Sequence, residues 1–358
     1  MPGGGFRILF AGGGTGGHVF PGIALAQHAS GSAVHWLCTS RAFDAAQLAQ
    51  ENIPFEALES PRWRGFGGFL APMARAILAS ARRIREFKPD VLVGVGGYGT
   101  VPPVIAAKLL GLPYVLLEQN IRPGKANRFL APGAARLYVQ WAQARSAFPG
   151  CGSRVLVTGS PLRKQLRRVP RDQALRRFGL GDVLPTLAVV GGSQGAEALN
   201  QGVVEALNGT ATRLQIIHVT GKTQVDAVRG AYESKGARAV VLDFVSDMDS
   251  LYSAADLVVS RAGAMAIAEL AAFGTPSVLV PIARSSGDHQ RENARAVARG
   301  GGAFLLEERD GLAGGLAPIL EKLVGRDPVF DAMKAKLSPL AKPGAADVIL
   351  SDLEKLVA

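Results

Sequence analysis

Cysteine, aromatic residues and long apolar runs are all scarce in this 358-residue chain. Its two cysteines, Cys38 and Cys151, form no metal-binding spacing and no disulfide framework, which favours a reducing, cytoplasmic setting. Residues 1–11 contain one arginine and a short apolar core, so we expect no secretory signal. The uncharged stretch at residues 91–107 carries Gly-Gly and Pro-Pro pairs and is too short to span a bilayer. We therefore expect a protein that is soluble or lies on a surface.

Acidic residues are scarce in the N-terminal half. Residues 1–160 hold 16 Lys and Arg against 7 Asp and Glu, a net charge of +9, whereas residues 161–358 hold 24 against 22, a net charge of +2. A basic half attracts nucleic acid, anionic lipid or anionic substrates. Helix-turn-helix, zinc-finger and aromatic RNA-binding patterns are missing from the sequence, so we expect no nucleic-acid partner and favour an anionic membrane surface.

Glycine, by contrast, is abundant, with 44 residues, and short apolar runs alternate with helical patterns along the chain. Strands are predicted at residues 6–10, 34–38, 55–58, 91–95, 114–117, 137–140, 154–157, 187–190, 215–219, 239–243, 257–260 and 277–280. Apolar strands separated by helices predict an α/β fold with parallel sheets that bind ligands beyond the C-terminal strand ends. The pattern restarts after the turn residues 158–163, which predicts two Rossmann-like domains facing a cleft. We place them at residues 1–160 and 161–340, with a last helix within 341–358 packing back on the first domain.

The segment from Ala11 to Pro21 contains five glycines and lies between the first strand and a helix predicted at residues 20–29. Glycine permits positive φ and close approach of a ligand, and the first amides of a helix have no acceptor within it. A phosphate or diphosphate site is one interpretation, and a tight turn without a ligand is the other. A Walker P-loop is excluded because His18 stands where lysine is required.

Two later segments repeat this strand, turn and helix pattern. Gly191 to Ala196 follows a predicted strand, and its Ser193 either donates to a phosphate or caps the helix. Ser260 to Glu269 is a third such turn, and Glu269 lies where a carboxylate accepts hydrogen bonds from ribose hydroxyls. Asp247 and Asp249 form a D-x-D pattern, but we interpret Asp247 as a helix cap and expect no bound metal.

The segment at residues 61–88 combines many arginines with aromatic residues that lie beside them in sequence. Residues 73, 77, 84 and 87 share a helical face and are assigned to the core. The composition around them is typical of an interfacial membrane contact, with a loop followed by a solvated helix as the alternative. The candidate membrane residues are Trp63, Phe66, Phe69, Arg75 and Leu78.

Seven groups of residues occur in order along essentially the whole chain: 13–21, 96–98, 118–120 with 127, 159–163, 191–196, 261–269 and 290–293. Together they resemble the MurG family, whose members transfer N-acetylglucosamine to undecaprenyl-diphospho-muramoyl-pentapeptide (lipid I). The resemblance implies a GT-B fold, an inverting reaction in peptidoglycan synthesis that needs no cofactor or metal, and a peripheral position on the cytoplasmic face of the bacterial inner membrane. It implies UDP-N-acetylglucosamine, lipid I and an anionic membrane as partners, with other cell-wall synthesis proteins as further candidates.

The resemblance also implies roles for individual residues. It implies that UDP-N-acetylglucosamine is bound by Thr15, Gly16, Gly17, Asn127, Arg163, Ser193, Val245, Ala264, Met265, Glu269 and Gln290. For the acceptor it implies Gly13, Gly14, Tyr98 and Glu118. His18 is the candidate general base, and binding of the acceptor diphosphate is its alternative role. The sequence departs from the family pattern at Leu117, Ser160 and Ala262, where His, Asn and Ser are usual.

Two other enzyme classes fit parts of the pattern. An NADP oxidoreductase would use the first glycine turn and place Arg41 on a 2′-phosphate, but it leaves the later turns unused. A UDP-sugar 2-epimerase would share the architecture and act without a lipid acceptor. A non-enzymatic lipid-surface scaffold would leave the polar residues at the strand ends without a purpose.

Overall fold

A computed structural model describes residues 6–59, 66–192, 196–283 and 286–358, and it describes only the backbone at residues 66–69 and 286. The chain divides into two compact units. The N-terminal unit comprises Met1–Lys164 together with Lys342–Ala358, and the C-terminal unit comprises Gln165–Ala341. The sequence motif at residues 159–163 therefore belongs to the N-terminal unit.

Within the described residues, the N-terminal unit is built on a parallel sheet of seven strands. They are β1 (Arg7–Gly12), β2 (Ala33–Thr39), β3 (Phe55–Leu58), β4 (Val91–Gly96), β5 (Tyr114–Glu118), β6 (Arg136–Val139) and β7 (Val155–Val157). Their order in the sheet is β3-β2-β1-β4-β5-β6-β7. Strands β2 and β3 are added on one side of β1 and strands β4 to β7 on the other, so the order of strands reverses between β1 and β4. Ligands of such sheets bind where that reversal leaves a crevice at the carboxyl ends.

Six helices of this unit are α1 (Gly16–His28), α2 (Ala42–Gln50), α3 (Phe66–Phe87), α4 (Val101–Leu109), α5 (Lys125–Leu130) and, from the end of the chain, α14 (Ala345–Val357). Helix α14 lies on the sheet face that also carries α1, and its Ile349 and Leu353 are fully buried in that core. Burial of a leucine or isoleucine side chain stabilises a fold by about 1.5–3 kcal/mol. The last residues of the chain thus complete the core of the first unit.

The C-terminal unit repeats the architecture over the residues that the structure describes, with a parallel sheet of six strands. They are β8 (Thr186–Val190), β9 (Gln215–Val219), β10 (Arg238–Leu242), β11 (Leu257–Ser260), β12 (Ser277–Leu279) and β13 (Phe304–Leu305), in the order β10-β9-β8-β11-β12-β13. The helices are α6 (Arg171–Arg177), α7 (Glu197–Ala206), α8 (Val225–Ser234), α9 (Met248–Ala254), α10 (Ala264–Phe273), α11 (His289–Arg299), α12 (Leu312–Val324) and α13 (Val329–Leu337). The predicted α/β class with two Rossmann-like sheets is confirmed.

Helix α1 begins four residues earlier than the sequence pattern predicted. The predicted start was Phe20, but the helix begins at Gly16, and Thr15 precedes it in an extended conformation with φ −152° and ψ 157°. The amides of His18 and Val19 donate to the carbonyl of Thr15 at 3.0 and 3.1 Å. Two glycines have low helix propensity, and these bonds to the capping carbonyl make up for it. His18 therefore lies in the first helical turn and not in a loop.

Helix α3 buries a slightly different face from the predicted one. Ile84 is buried as expected and Ile77 and Phe87 pack partly against the core, but Met73 is only half-buried. Ala76 and Ser80 are buried in its place, because small side chains allow close contact with the neighbouring helix α4. Among the described residues, no helix is both long enough and apolar enough to cross a bilayer.

Candidate active site

The first glycine turn joins β1 to α1 and is held by contacts from three directions. The indole Nε1 of Trp36 donates to the carbonyl of Gly12 at 3.0 Å, and the amide of Gly13 donates to the carbonyl of Gly96 at 3.3 Å. The amide of Gly14 donates to the carboxylate of Asp44 at 2.8 and 3.0 Å. The amides of Gly13 and Gly14 therefore have acceptors within the chain. What remains for an anion is the start of α1 at Gly16 and Gly17, because the next two amides, of His18 and Val19, donate to the carbonyl of Thr15.

His18 lies on this first turn, against the end of the neighbouring strand β4. Its Nδ1 is 3.1 Å from the hydroxyl of Thr15. Gly96 and Gly97 have φ angles of +99° and +78°, and a side chain at either position would meet the imidazole. Glycine is required here because both the backbone conformation and the space exclude a Cβ atom. Tyr98, the next residue, is exposed at the start of the short helical turn Tyr98–Thr100.

Glu118, at the end of β5, is buried and organises the loop that follows. Its carboxylate accepts from the amides of Asn120 and Gly124, both at 2.9 Å, and from the side chain of Asn120 at 3.1 Å. It also accepts from Nδ2 of Asn127 at 3.0 Å. The resemblance assigns Glu118 to the acceptor substrate. We infer that its carboxylate holds the loop after β5 in place.

Asn127 is 3% exposed and lies close to Gly96, the residue that also packs on His18. Its Nδ2 donates to the carbonyl of Leu117 and to Glu118, which identifies the amide orientation. Its Oδ1 is buried and has no hydrogen-bond partner within the described residues. The sheet thus brings together three segments that are distant in sequence, at the carboxyl ends of β1, β4 and β5.

In the C-terminal unit, the second glycine turn follows β8. Gly191 donates to the carbonyl of Val219 at 3.4 Å, and α7 begins at Glu197. Ser193 lies outside the described residues, as do Gln194 and Gly195.

The third turn joins β11 to α10, and Gly263 is the residue before the helix. Ala264 and Met265 are buried in its first turn. Glu269 is half-buried one turn further on, and its Oε2 accepts from the hydroxyl of Tyr252 at 2.9 Å. The side chain of Tyr252 therefore orients the carboxylate that the sequence assigns to ribose.

Other residues predicted to bind UDP-N-acetylglucosamine lie on the loop after β10, in the first turn of α11 and at the end of the motif 159–163. Val245 is half-buried beside Phe244, whose ring is exposed and which the sequence analysis missed. Gln290, in the first turn of α11, accepts from the amide of Ile282 through Oε1 at 3.1 Å and so holds the loop after β12. Arg163 is half-buried and ends the sequence motif 159–163.

Asp247 caps helix α9, as predicted. It accepts from the amide of Ser250 at 3.0 Å and pairs with Arg177 at 2.6 Å. Burial alone would raise the pKa of Asp247, but the hydrogen bonds from Ser250 and Arg177 leave it below its ordinary value. Asp249 accepts from the amide of Arg167 at 3.0 Å. Across the part of the chain that is described, no three His, Cys, Asp or Glu side chains are grouped as metal ligands.

Of the predicted membrane residues, Arg75 and Leu78 are exposed on α3. Trp63 and the side chains of Phe66 and Phe69 lie outside the described residues.

Comparison with known proteins places this chain in a family. The glycosyltransferase family 28 N-terminal domain matches residues 8–139, and the C-terminal domain of that family matches residues 186–349. A Pseudomonas entomophila (strain L48) protein named UDP-N-acetylglucosamine--N-acetylmuramyl-(pentapeptide) pyrophosphoryl-undecaprenol N-acetylglucosamine transferase is 38% identical over 97% of this chain and 96% of its own length. The crystal structure of Acinetobacter baumannii MurG is 30% identical, with a TM-score of 0.80 over 98% of this chain and 99% of that one. The chain belongs to the MurG family.

A Myxococcus xanthus (strain DK1622) protein that bears the same transferase name is 36% identical over 95% of this chain and 90% of its own length. The MurG fold is also found in more distant proteins. A Listeria monocytogenes structure described as a putative UDP-N-acetylglucosamine 2-epimerase has a TM-score of 0.70 but only 14% identity, over 98% of this chain and 96% of that one. That similarity concerns the fold alone.

The three departures from the MurG pattern have structural counterparts. Leu117 packs in the core of the N-terminal unit, so this chain has an apolar side chain where the family usually has histidine. Ser160 donates to Oε1 of Gln140 at 2.6 Å, and Ala262 is fully buried. Arg41, which the oxidoreductase hypothesis placed on a 2′-phosphate, donates to the carbonyl of Gly14.

Proposed function

We infer that the chain transfers N-acetylglucosamine from UDP-N-acetylglucosamine to the muramoyl C4 hydroxyl of undecaprenyl-diphospho-muramoyl-pentapeptide, in peptidoglycan synthesis. Membership in the MurG family over nearly the full length carries this inference. The strand-to-helix turns of both units agree with substrates that are diphosphates.

We place the donor on the C-terminal unit. Glu269 has the half-buried, oriented carboxylate that the ribose hydroxyls need, and the exposed ring of Phe244 beside Val245 suits contact with the uracil base. The first turn of α10, with Ala264 and Met265, directs backbone amides at the diphosphate. Ser193 and Gln290 are the proposed contacts to the diphosphate and the sugar. Arg163 is a further proposed donor contact.

We place the acceptor diphosphate at the first turn of α1 in the N-terminal unit. Thr15, Gly16 and Gly17, which the resemblance assigned to UDP-N-acetylglucosamine, lie at the amide end of this helix, and we propose that they also face the acceptor diphosphate. Tyr98 is exposed and follows Gly97, which packs on His18. The reaction is a single displacement with inversion. The C4 oxygen bonds to C1 of the sugar as the bond from C1 to the diphosphate oxygen breaks, and UDP leaves with the electron pair.

His18 is the proposed base that takes the proton of the C4 hydroxyl. When Nδ1 carries the hydrogen and donates to the Thr15 hydroxyl, the lone pair is on Nε2. Histidine is the side chain most often used for proton transfer at neutral pH. Glu118 and Asn127 support the same edge of the sheet from the loop after β5.

We further propose that helix α3 docks the protein on the cytoplasmic face of the bacterial inner membrane. Leu70 and Leu78 are 56% and 70% exposed, and Arg75 lies exposed between them along the helix. Leucines beside cations on an exposed helix suit binding to an anionic bilayer surface. Other cell-wall synthesis proteins remain proposed partners.

The function is tested by measuring UDP release from UDP-N-acetylglucosamine with and without the lipid-linked acceptor, in the presence of EDTA. We expect release that requires the acceptor and persists in EDTA, because helix N-termini stabilise the leaving diphosphate. His18→Ala should lower kcat by about 100-fold or more while UDP binding is retained. His28→Ala, at the other end of the same helix, is the matched control.

Conversion of UDP-N-acetylglucosamine without acceptor would instead identify an epimerase. Full activity of His18→Ala would show that another group accepts the proton of the C4 hydroxyl. The transferase assignment would still hold.

A further inference from the structure

A buried carboxylate lies behind the first glycine turn and is not used by the function proposed above. Asp44 is in the first turn of α2 and is fully buried. A carboxylate that is removed from water needs hydrogen bonds to replace its lost hydration, so the groups that bind Asp44 show what it does in this position.

Its hydrogen bonds are directed at the turn. The amide of Gly14 donates to Oδ2 at 2.8 Å and to Oδ1 at 3.0 Å, across 30 residues of sequence. The hydroxyl of Thr39, at the end of β2, donates to Oδ2 at 2.5 Å and so orients the carboxylate. A Cβ atom at Gly13 would overlap the same carboxylate, so the turn and the acid are in van der Waals contact.

The carbonyl side of the same glycine is also held. Nη1 of Arg41 donates to the oxygen of Gly14 at 2.5 Å, and the amide of Arg41 donates to the Thr39 hydroxyl at 3.4 Å. One segment, residues 39–44, therefore binds both backbone polar groups of Gly14. We call this arrangement the Gly14 clamp.

The clamp acts one residue away from the reacting end of the site. Gly14 has φ +97°, and Thr15 follows it as the residue before α1. Thr15 contacts Nδ1 of His18 at 3.1 Å through its hydroxyl. A change in the Gly14 peptide would rotate Thr15, and with it the hydrogen bond to the imidazole. Displacements of about 1 Å at a reacting group can cost about 100-fold in rate.

We propose that Asp44 is a positioning residue for the transfer reaction, because its carboxylate, together with Arg41, sets the first glycine turn and thereby the placement of Thr15 and His18. The inference rests on the proposed role of His18 as the base.

The test compares Asp44→Asn and Asp44→Ala with Asp352→Asn in the full-length chain. Asp352 is a matched control because its carboxylate also accepts two side-chain hydrogen bonds in the same unit, from Tyr138 at 2.8 Å and Arg136 at 3.0 Å, but on α14. The measurements are kcat, the KM for UDP-N-acetylglucosamine, Tm, and the NMR signal of the His18 Cε1 proton. The chain has five histidines, so that signal is identified by its loss in His18→Gln.

We expect kcat to fall by about 10- to 100-fold in Asp44→Ala and by less in Asp44→Asn, which keeps one acceptor for Gly14. The KM for the donor should change by less than about twofold, and the His18 signal should shift. Asp352→Asn should lower Tm but leave kcat and the His18 signal as in the wild type.

The proposal is overturned if the Asp44 variants lose no more kcat than Asp352→Asn at a similar loss of Tm, or if the His18 signal does not move. If Asp44→Ala does not fold, Asp44→Asn and Thr39→Val, which removes the hydroxyl that orients the carboxylate, give the same readouts. The outcome is separable from the proposed function: full activity of His18→Ala would refute the base, whereas a shifted His18 signal in Asp44→Asn would still show positioning.

Discussion

His218 is fully buried on β9, where both of its ring nitrogens have partners. Nδ1 is 2.7 Å from the hydroxyl of Tyr232, and Nε2 is 3.0 Å from Oδ1 of Asn200. The side chain of Asn200 in turn donates to the carbonyl of Thr220 at 3.1 Å. Such a satisfied polar network holds α7, α8 and β9 in one arrangement. Burial lowers the pKa of His218 to about 3, so the folded protein keeps it neutral.

The C-terminal unit should therefore lose stability as the pH falls below 6.5. There the unfolded chain binds a proton at His218 and the folded chain does not, so the free energy of unfolding falls by up to about 1.4 kcal/mol per pH unit until the pH approaches the folded pKa. Above 6.5 this contribution is complete. Denaturant unfolding followed by far-UV circular dichroism measures it, and His218→Gln should flatten the pH dependence.

His28→Gln, at the C-terminal end of α1 in the other unit, is the control for this measurement and should keep the wild-type slope. Parallel pH curves for wild type and His218→Gln would contradict the prediction.

Glu269 provides a second test at the level of single residues. Glu269→Gln should weaken UDP binding by about 10- to 100-fold, because a hydrogen bond to a charged group contributes about 1.5–3 kcal/mol. Tyr252→Phe should weaken it less, since it removes only the group that orients the carboxylate. Isothermal titration with UDP measures both, with Glu233→Gln on the exposed side of α8 as control. Equal affinities for Glu269→Gln and the control would remove Glu269 from the donor site.

At the scale of elements, α14 is the helix whose position in sequence says least about its position in space. Its Ile349 and Leu353 are buried against the first sheet, and Asp352 binds Tyr138 and Arg136 on β6. Burial and the hydrogen bond to Asp352 both raise the pKa of Tyr138, so its phenol stays protonated.

Ile349→Ala should therefore destabilise the N-terminal unit by about 2–5 kcal/mol, the usual cost of such a truncation in a core. Val348→Ala, whose side chain is exposed on the same helix, is the control and should change stability by less than about 0.5 kcal/mol. All three tryptophans, at positions 36, 63 and 141, lie in the N-terminal unit, so tryptophan fluorescence follows that unit alone. An unchanged midpoint for Ile349→Ala would show that α14 does not belong to that folding unit.

At the scale of the whole molecule, the uneven distribution of charge predicts salt-sensitive binding to anionic vesicles. The charge of +9 over residues 1–160 attracts such a surface, and salt screens the attraction. Sedimentation with vesicles of anionic lipid should show binding that weakens as ionic strength rises. Leu78→Asp should reduce it further, because it removes an exposed apolar contact on α3.

Val183→Asp, at an exposed position in the C-terminal unit, controls for the added negative charge. Equal binding of the two variants would exclude this part of α3 as the docking helix.

Local patterns were sufficient for most of the fold. The strands at Gln215–Val219 and Leu257–Ser260 begin and end where the apolar runs predicted, because interior strands of a parallel sheet are covered on both faces and carry nearly continuous apolar side chains. The bounds of the edge strand Phe55–Leu58 were also predicted correctly. The strand Phe304–Leu305 was missed because two residues carry no readable periodicity. The start of α1 was misplaced because Gly16 and Gly17 are poor helix formers, and only the capping carbonyl of Thr15 shows that they are helical.

The fold class, the tandem repeat of two sheets, the glycine turns and the family are readable from residues that are neighbours in the chain. Which groups of those turns are already hydrogen-bonded is known only from the folded protein. The amide of Gly14 donates to Asp44, and the carboxylate of Glu118 accepts from Gly124 and Asn127 in the segment that follows it. These pairings join residues that the sheet brings together through the order of its strands, and no local pattern encodes that distance.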